Sequence, residues 1–143
     1  MVATDVERLA QALGEAFASE PAVVAAWLFG SVACGHATPS SDVDFAVLLR
    51  TDAPRGLDRL LLLDAIAERI AHVLDVSERA IDVVALDEQG PVSQHTVLRT
   101  GRLVYERDPR ARLLLSCSAV RRYLDFKPML DIFDRAKYGK PRP

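Results

Sequence analysis

The sequence predicts an α/β (α+β) domain, in which a small mixed sheet of about four strands is flanked by helices and followed by a C-terminal helical extension. Half of its 143 residues are hydrophobic and 27% are charged, which is the composition of a globular chain. Short apolar runs of strand length alternate along the chain with amphipathic stretches of helical period. We therefore expect a single domain over residues 1–143, with a core at about 22–106 and the helical extension at about 108–138.

The first helix and the first strand can be read from caps and spacing. Thr4 followed by Glu7 is a capping-box pattern, and apolar residues recur at helical spacing after it. Residues 22–29 form a short apolar run of the kind found in buried strands. The run ends at Gly30 and Ser31, which predict a tight turn directly after the strand.

The second strand follows a small, polar segment. Residues 31–41 predict a turn, or a short helix with a loop. Residues 42–50 are mostly apolar and predict a strand. Because successive side chains of a strand point to opposite faces, one face of this strand is predicted to carry Asp42, Asp44, Ala46 and Leu48.

A long helix and a third strand come next. Residues 51–56 contain a proline and a glycine and predict a loop. Residues 57–74 have apolar side chains at helical spacing, which predicts a long amphipathic helix. Residues 81–86 predict a third strand that carries one internal acid, Asp82.

The last three elements are a helix, a strand and a long helix. A proline opens the helix predicted for residues 91–99, and residues 102–106 predict a short final strand. Asp108 as cap and Pro109 at the first helical position start the C-terminal helix. We expect Pro128 to kink or break that helix, because proline lacks the N–H donor and clashes with the preceding turn.

Composition excludes several classes of protein. No uncharged apolar run approaches the ~18 residues of a membrane span, and the first residues lack the apolar stretch of a secretory signal. Cys34 and Cys117 form no pattern and are interpreted as reduced thiols of a cytoplasmic protein. Zinc-ligand spacings are absent. The net charge of −2 argues against a dedicated nucleic-acid-binding protein.

The charge is unevenly distributed along the chain. Residues 1–105 carry 8 basic and 15 acidic side chains, whereas residues 106–143 carry 10 basic and 5 acidic ones. The basic C-terminal stretch is either a solvated helix or a docking surface for an acidic partner or for the protein's own acidic body.

Three carboxylates are predicted to form a cation site. Asp42 and Asp44 are two residues apart on one strand, so both point to the same face. Asp82 interrupts an otherwise apolar strand, where aspartate is uncommon. Clustered carboxylates repel one another unless a cation neutralises them, and Mg²⁺ is bound by carboxylates together with substrate phosphates. Three carboxylates could hold two such ions roughly 3.5–4 Å apart, as in-line displacement at phosphorus requires.

The segment upstream of these acids is a candidate phosphate-binding turn. Glycine allows the backbone to approach a phosphate closely, and Ser31 adds a hydroxyl donor after Gly30. Each feature also has a structural interpretation: Gly30-Ser31 as a plain turn, Asp42 as a strand-edge residue, and Asp82 as a surface acid. The order Gly-Ser, ten residues, Asp-x-Asp and a later strand acid favours the functional interpretation of the set.

With this order of residues the sequence resembles the minimal nucleotidyltransferase (MNT) family of the polymerase-β-type nucleotidyltransferase superfamily. The resemblance covers roughly residues 22–106, including the segment GPVSQHTVLRTGRLVYERD. It implies a nucleotidyltransferase-like fold, with two Mg²⁺ ions held by Asp42, Asp44 and Asp82, and ATP phosphates held by Gly30 and Ser31. Small members of this family are often antitoxins of HEPN–MNT modules. The resemblance therefore implies transfer of AMP from ATP to a hydroxyl, expected to be that of a tyrosine, of a partner HEPN toxin that is an RNase.

One position departs from the family pattern. Many members carry an arginine shortly after the Gly-Ser turn, where this chain reads GSVACG and has Cys34. A thiol cannot supply the fixed charge of a guanidinium, so the phosphates would be held by backbone, Ser31 and metal, or by an arginine from elsewhere. Two alternatives stay open at this point: a non-catalytic antitoxin that neutralises its partner by binding, and a nucleotidyltransferase for a small molecule such as an antibiotic.

Overall fold

A computed structural model of the chain describes residues 2–30 and 42–141. Apart from two short 3-10 turns, this part of the chain has five helices and strands before residue 86 and three after it. The elements are α1 Val2–Ala18, β1 Val23–Phe29, β2 Val43–Leu49, α2 Gly56–Leu74, β3 Ile81–Ala85, α3 Pro91–Thr100, β4 Arg102–Glu106 and α4 Pro109–Tyr138. The predicted order is confirmed, although α1 begins two residues before the predicted cap at Thr4. Of the described helices, none has the length and apolar character that a membrane crossing requires.

The four strands form one mixed sheet in the order β3-β2-β1-β4. β1 pairs antiparallel with both β2 and β4, and β2 pairs parallel with β3. The parallel pair requires a crossover connection, which α2 provides. Because β2 and β3 run in the same direction, their first residues lie at one end of the sheet, next to the last residues of β1.

Both faces of the sheet are covered. On one face, β1 and β2 pack with α1 and α2, and the Phe17 and Phe45 rings meet edge to face with centroids 5.7 Å apart. On the other face, which we call the α3/α4 face, Trp27 and Ala46 pack with Val97 of α3 and with the start of α4. The alternation predicted for β2 is confirmed, because its odd-numbered apolar residues lie on the first face and its even-numbered ones on the α3/α4 face.

A buried arginine holds the turn after β3 to the start of α2. The Arg59 side chain is 2% exposed, and its Nε donates to the Pro54 carbonyl at 2.8 Å. Its Nη1 lies 3.0 Å from Asp87 and 2.9 Å from Glu88, which follow β3. A buried guanidinium requires such partners, since an unpaired charge in the interior is costly. The contact anchors β3 beside β2.

The C-terminal helix begins as predicted but does not break where predicted. Asp108 caps α4 by accepting a hydrogen bond from the Ala111 N–H at 3.1 Å, and Pro109 occupies the first turn. Of the predicted kink or break at Pro128, the break is wrong, because α4 continues through it to Tyr138, and the kink stays a prediction. Pro128 is exposed, and so is Leu124, whose carbonyl loses its helical partner. Water can satisfy that carbonyl, which explains why the helix tolerates the proline there.

Candidate active site

Asp44 and Asp82 lie opposite each other on the parallel pair β2–β3. Their Cα atoms are partners in the register of the two strands, which are about 4.8 Å apart in a sheet. Residues paired in this way point to the same face, and for these two it is the α3/α4 face that also carries Ala46 and Val84. Two carboxylates from distant parts of the sequence therefore become neighbours at one end of the sheet.

Asp42 adds a third carboxylate to this pair. It immediately precedes β2, two positions before Asp44, and is exposed. Partial burial, and then the charges of Asp82 and Asp42, raise the pKa of the Asp44 carboxyl above its ordinary value of 3.8. The three acids are thus close enough to affect one another, as the sequence predicts. Below, they are called the carboxylate cluster.

Gly30 lies against the Asp44 carboxylate. Phe29, the last residue of β1, is the register partner of Asp44, so Gly30 leaves the sheet beside that side chain. Its φ of +78° lies in the left-handed region, and a Cβ at this position would overlap the Asp44 Oδ2. Only glycine combines this backbone conformation with so close an approach. Ser31 and Cys34, the other residues considered at this turn, lie outside the described residues.

The donor set of the cluster suits a divalent cation that shares its ligands with a substrate. Within residues 2–30 and 42–141, no three His, Cys, Asp or Glu side chains are arranged to hold a metal ion by themselves. Mg²⁺ commonly uses only one or two carboxylates and completes its shell with waters and phosphate oxygens. Asp44 and Asp82 can supply two carboxylates, and the raised pKa of Asp44 reflects partial burial first and then the charges of Asp82 and Asp42, which a cation would offset. Two bound ions, and Asp42 as a ligand, stay predictions.

The cluster is open to solvent. Asp42 and Asp82 are both exposed, and Asp44 is half-buried. A cavity of 590 Å³ lies at the other end of the sheet, between the start of α4 and the end of β2, and none of the predicted site residues lines it. An open site can admit a group that projects from a large molecule.

The sequence reasoning missed one relation within the site. The sequence predicts that Gly30 binds phosphate, but it does not predict that the Asp44 carboxylate leaves no room for a side chain at position 30. The signal was available in part, because a glycine at the end of a strand often marks a close approach of another group. That this group is Asp44 can be known only from the register between β1 and β2, in which Phe29 pairs with Asp44.

The family described as Polymerase beta, Nucleotidyltransferase matches residues 11–110, which is more than two thirds of the chain. The chain belongs to this family. The matched segment includes Gly30, Ser31 and the whole carboxylate cluster, and it ends where α4 begins. No curated protein matches the chain in sequence.

Solved structures with the same fold come from toxin–antitoxin complexes. One is a toxin–antitoxin crystal structure with AMP-PNP, matched at a TM-score of 0.70 and 22% identity over 90% of this chain and 98% of that chain. Another is a tri-AMPylated Shewanella oneidensis HEPN toxin in complex with MNT antitoxin, with a TM-score of 0.60, 20% identity and coverage of 96% and 99%. A third is an MntA–HpeT variant in which two aspartates, two positions apart, are changed to glutamate. It matches at a TM-score of 0.63 and 20% identity over 94% of this chain and 97% of that chain. At these identities the likeness shows the fold.

Proposed function

We propose that this nucleotidyltransferase is an antitoxin that transfers AMP from ATP to a hydroxyl, that of a tyrosine, of a partner HEPN-type toxin. The observation that carries the proposal is the pairing of Asp44 with Asp82, with Gly30 packed against Asp44. This arrangement offers two carboxylates beside a backbone turn on which a phosphate chain can lie. The open position of the cluster supports a protein acceptor, because a side chain on a protein surface could reach it.

Each residue of the site has a proposed role. Gly30 and Ser31 would bind the β- and γ-phosphates through backbone N–H groups and the serine hydroxyl. Asp42, Asp44 and Asp82 would hold Mg²⁺, which when bound neutralises the phosphate charge and lowers the pKa of the attacking hydroxyl. These assignments place the α-phosphorus beside the exposed Asp82.

The proposed step is an in-line substitution at the α-phosphorus. The acceptor oxygen forms a new bond to that phosphorus as the bond to the bridging α–β oxygen breaks. Pyrophosphate leaves with the electron pair of the broken bond, and the hydroxyl proton passes to Asp82 or to water. Asp82 is suited to accept the proton because its side chain is exposed at the end of the sheet where the carboxylate cluster lies. The products are pyrophosphate and an acceptor that carries AMP through a phosphodiester.

Several observations support this reaction over others. The structurally similar complexes include an AMPylated HEPN toxin and a complex crystallised with AMP-PNP. Another carries paired aspartate changes with the spacing of Asp42 and Asp44. A small-molecule acceptor would need a pocket beside the carboxylates, whereas the 590 Å³ cavity lies at the other end of the sheet.

The test is AMP transfer to a co-expressed partner. The protein encoded by the reading frame adjacent to that of this chain is purified and incubated with ATP, Mg²⁺ and the chain, and its intact mass is measured. We expect the wild type to add AMP, and Asp42→Asn or Asp44→Asn to reduce the rate by about 100-fold or more, the size of effect seen when charge stabilisation at the reacting centre is lost. Asp64→Asn, an exposed acid on α2, is the matched control and retains full activity.

Two outcomes contradict the proposal. Unchanged transfer in Asp44→Asn would exclude the carboxylate cluster as the reacting site. If the wild type and the Asp42→Asn/Asp44→Asn variant protect the cell from the partner equally and no AMP is added, the chain neutralises its partner by binding alone. The adjacent reading frame is itself a test, because the absence of a HEPN-type protein there removes the acceptor that the proposal names.

A further inference from the structure

α4 buries one side and exposes the rest to solvent. Its buried residues are Ala119, Leu130 and Asp134, whose spacing of eleven and four places them on one side of a helix. Besides Phe126 and Tyr138, seven large hydrophobic side chains on the remaining surface are 44% to 71% exposed. We call this set the outer α4 surface: Leu113, Leu114, Val120, Leu124, Met129, Ile132 and Phe133.

The amount of exposed apolar surface is more than solvation explains. Single exposed leucines are ordinary, but seven large apolar side chains on one helix are not. They extend along about five turns of α4, and exposed apolar side chains in such numbers are a feature of protein interfaces. A standard interface buries about 800 Å² per partner, to which the outer α4 surface could contribute.

The charge on α4 indicates what kind of surface can cover it. The helix carries seven Arg or Lys and three Asp, whereas residues 1–105 of the chain carry 15 acids and 8 bases. A second copy of α4 would bring two basic helices together and would be repelled. An apolar surface flanked by carboxylates would be attracted, and Arg121 and Arg122 are exposed beside the patch to meet it.

α4 is also the element that distinguishes this fold from the general transferase domain. The family match ends at residue 110, one residue after the first residue of α4. The match to the complex with AMP-PNP covers 90% of the 143 residues, which leaves about 14 unmatched, so at least half of the 30-residue helix is shared with that chain. The helix therefore belongs to the part of the fold that this chain has in common with members of toxin–antitoxin complexes.

We propose that the outer α4 surface is the docking site for the acceptor protein, which binds it through an apolar surface flanked by acidic side chains. This inference rests on the proposed function and names where its partner is held. A single hydroxyl at the carboxylate cluster provides little affinity, so the binding energy must come from contacts away from the reacting atoms. Docking on α4 would supply those contacts and keep the acceptor bound to the chain while its hydroxyl reacts.

The test compares two matched pairs of substitutions. Leu124→Asp with Ile132→Asp changes the outer α4 surface at positions that are 58% and 71% exposed. Leu61→Asp with Leu57→Asp changes the exposed side of α2 at positions with the same exposures and serves as the control. The probe is the purified protein encoded by the adjacent reading frame, used once AMP transfer or co-purification has identified it as the partner, and its Kd is measured by interferometry without ATP.

We expect the α4 pair to weaken binding at least 100-fold and the α2 pair to stay within threefold of the wild type. AMP transfer by the α4 pair should show a raised KM for the acceptor with an unchanged kcat, because the reacting residues are untouched. Arg121→Glu with Arg122→Glu should slow association and reduce its dependence on salt. Thermal melts verify folding, and Leu124→Ala with Ile132→Ala repeats the test without an added charge.

Three results would overturn the inference. The α4 variants could bind as tightly as the wild type, or the α2 pair could be the one that loses affinity. The chain alone could be a dimer by light scattering that the α4 pair dissociates, in which case a second copy covers the surface. Tight binding by the wild type with no AMP transfer would contradict the proposed reaction and leave the docking site standing, so the two failures are distinguishable.

Discussion

Replacing Gly30 with alanine tests the central geometry of the site. At φ +78° an alanine is strained by about 1–2 kcal/mol relative to glycine. Its Cβ would also overlap the Asp44 Oδ2, and moving that carboxylate aside adds about 1–3 kcal/mol, as other overpacking does. We therefore expect Gly30→Ala to lower the free energy of unfolding by about 2–5 kcal/mol and to displace Asp44 from its place beside Asp82.

A second glycine separates the two contributions. Gly56 has φ +61°, and no atom lies within 4 Å of a Cβ built on it. Gly56→Ala should therefore carry the backbone strain alone, about 1–2 kcal/mol, and leave AMP transfer intact. In an Asp44→Ala background the overlap is absent, so the cost of Gly30→Ala should fall to that of Gly56→Ala. The difference between the two backgrounds measures the contact directly.

Urea denaturation provides the measurement. Trp27 is the single tryptophan and is 4% exposed, so its fluorescence reports unfolding of the sheet. A parallel assay follows Mg²⁺-dependent stabilisation and AMP transfer in each variant. If Gly30→Ala were no less stable than Gly56→Ala and transferred AMP at the wild-type rate, the contact between Gly30 and Asp44 would not exist in solution.

Three more predictions follow from the charges of the molecule. Asp44→Asn relieves repulsion within the carboxylate cluster and should stabilise the metal-free chain by about 0.5–1 kcal/mol in thermal melts, while abolishing the stabilisation by Mg²⁺ that we expect of the wild type. Because the folded-state pKa of Asp44 is raised, the metal-free chain should lose stability as pH rises through that pKa, which urea titrations over a series of pH values measure. Stabilisation by Mg²⁺ should weaken as pH falls, because the proton competes with the cation for the carboxylate, and stabilisation independent of pH would contradict this. Arg59→Ala leaves Asp87 and Glu88 without their partner and should cost about 1–3 kcal/mol in urea titrations, less than for fully buried pairs because both acids are partly exposed.

The strands could be predicted closely from the sequence because their signals are local. The sequence predicts the final strand at residues 102–106, and β4 has these bounds. At each of their ends, β1, β2 and β3 differ from the predicted bounds by no more than one residue. The face that carries Asp44 follows from the period of two, which depends only on the strand being extended. Local alternation therefore predicts which face of β2 carries Asp44, whereas the roles of the predicted site residues stay predictions.

The relations between strands could not be predicted in the same way. The pairing of Asp44 with Asp82 depends on the parallel register of β2 and β3, which α2 connects. The nearby Arg59 contact is also long-range, because Asp87 and Glu88 follow Arg59 by 28 and 29 positions in the sequence. Pro128 misled the prediction because its effect depends on whether water can reach the Leu124 carbonyl, which is a property of the folded surface. The sequence predicts the basic C-terminal stretch as either a solvated helix or a docking surface, and it does not predict that Leu113, Leu114, Val120 and Leu124 are exposed, since exposure cannot be read from apolar spacing alone.

The position of β3 gives Asp82 a second consequence. In the described part of the chain β3 is an edge strand: one side of its backbone pairs with β2, and the other side pairs with no strand. An open edge can recruit a strand from another molecule, and a charged side chain within it discourages such recruitment. Asp82 is the only charged residue in the five of β3. The same carboxylate that we assign to chemistry would therefore also discourage copies of the protein from pairing edge to edge, so we expect its neutralisation to promote aggregation along with loss of activity.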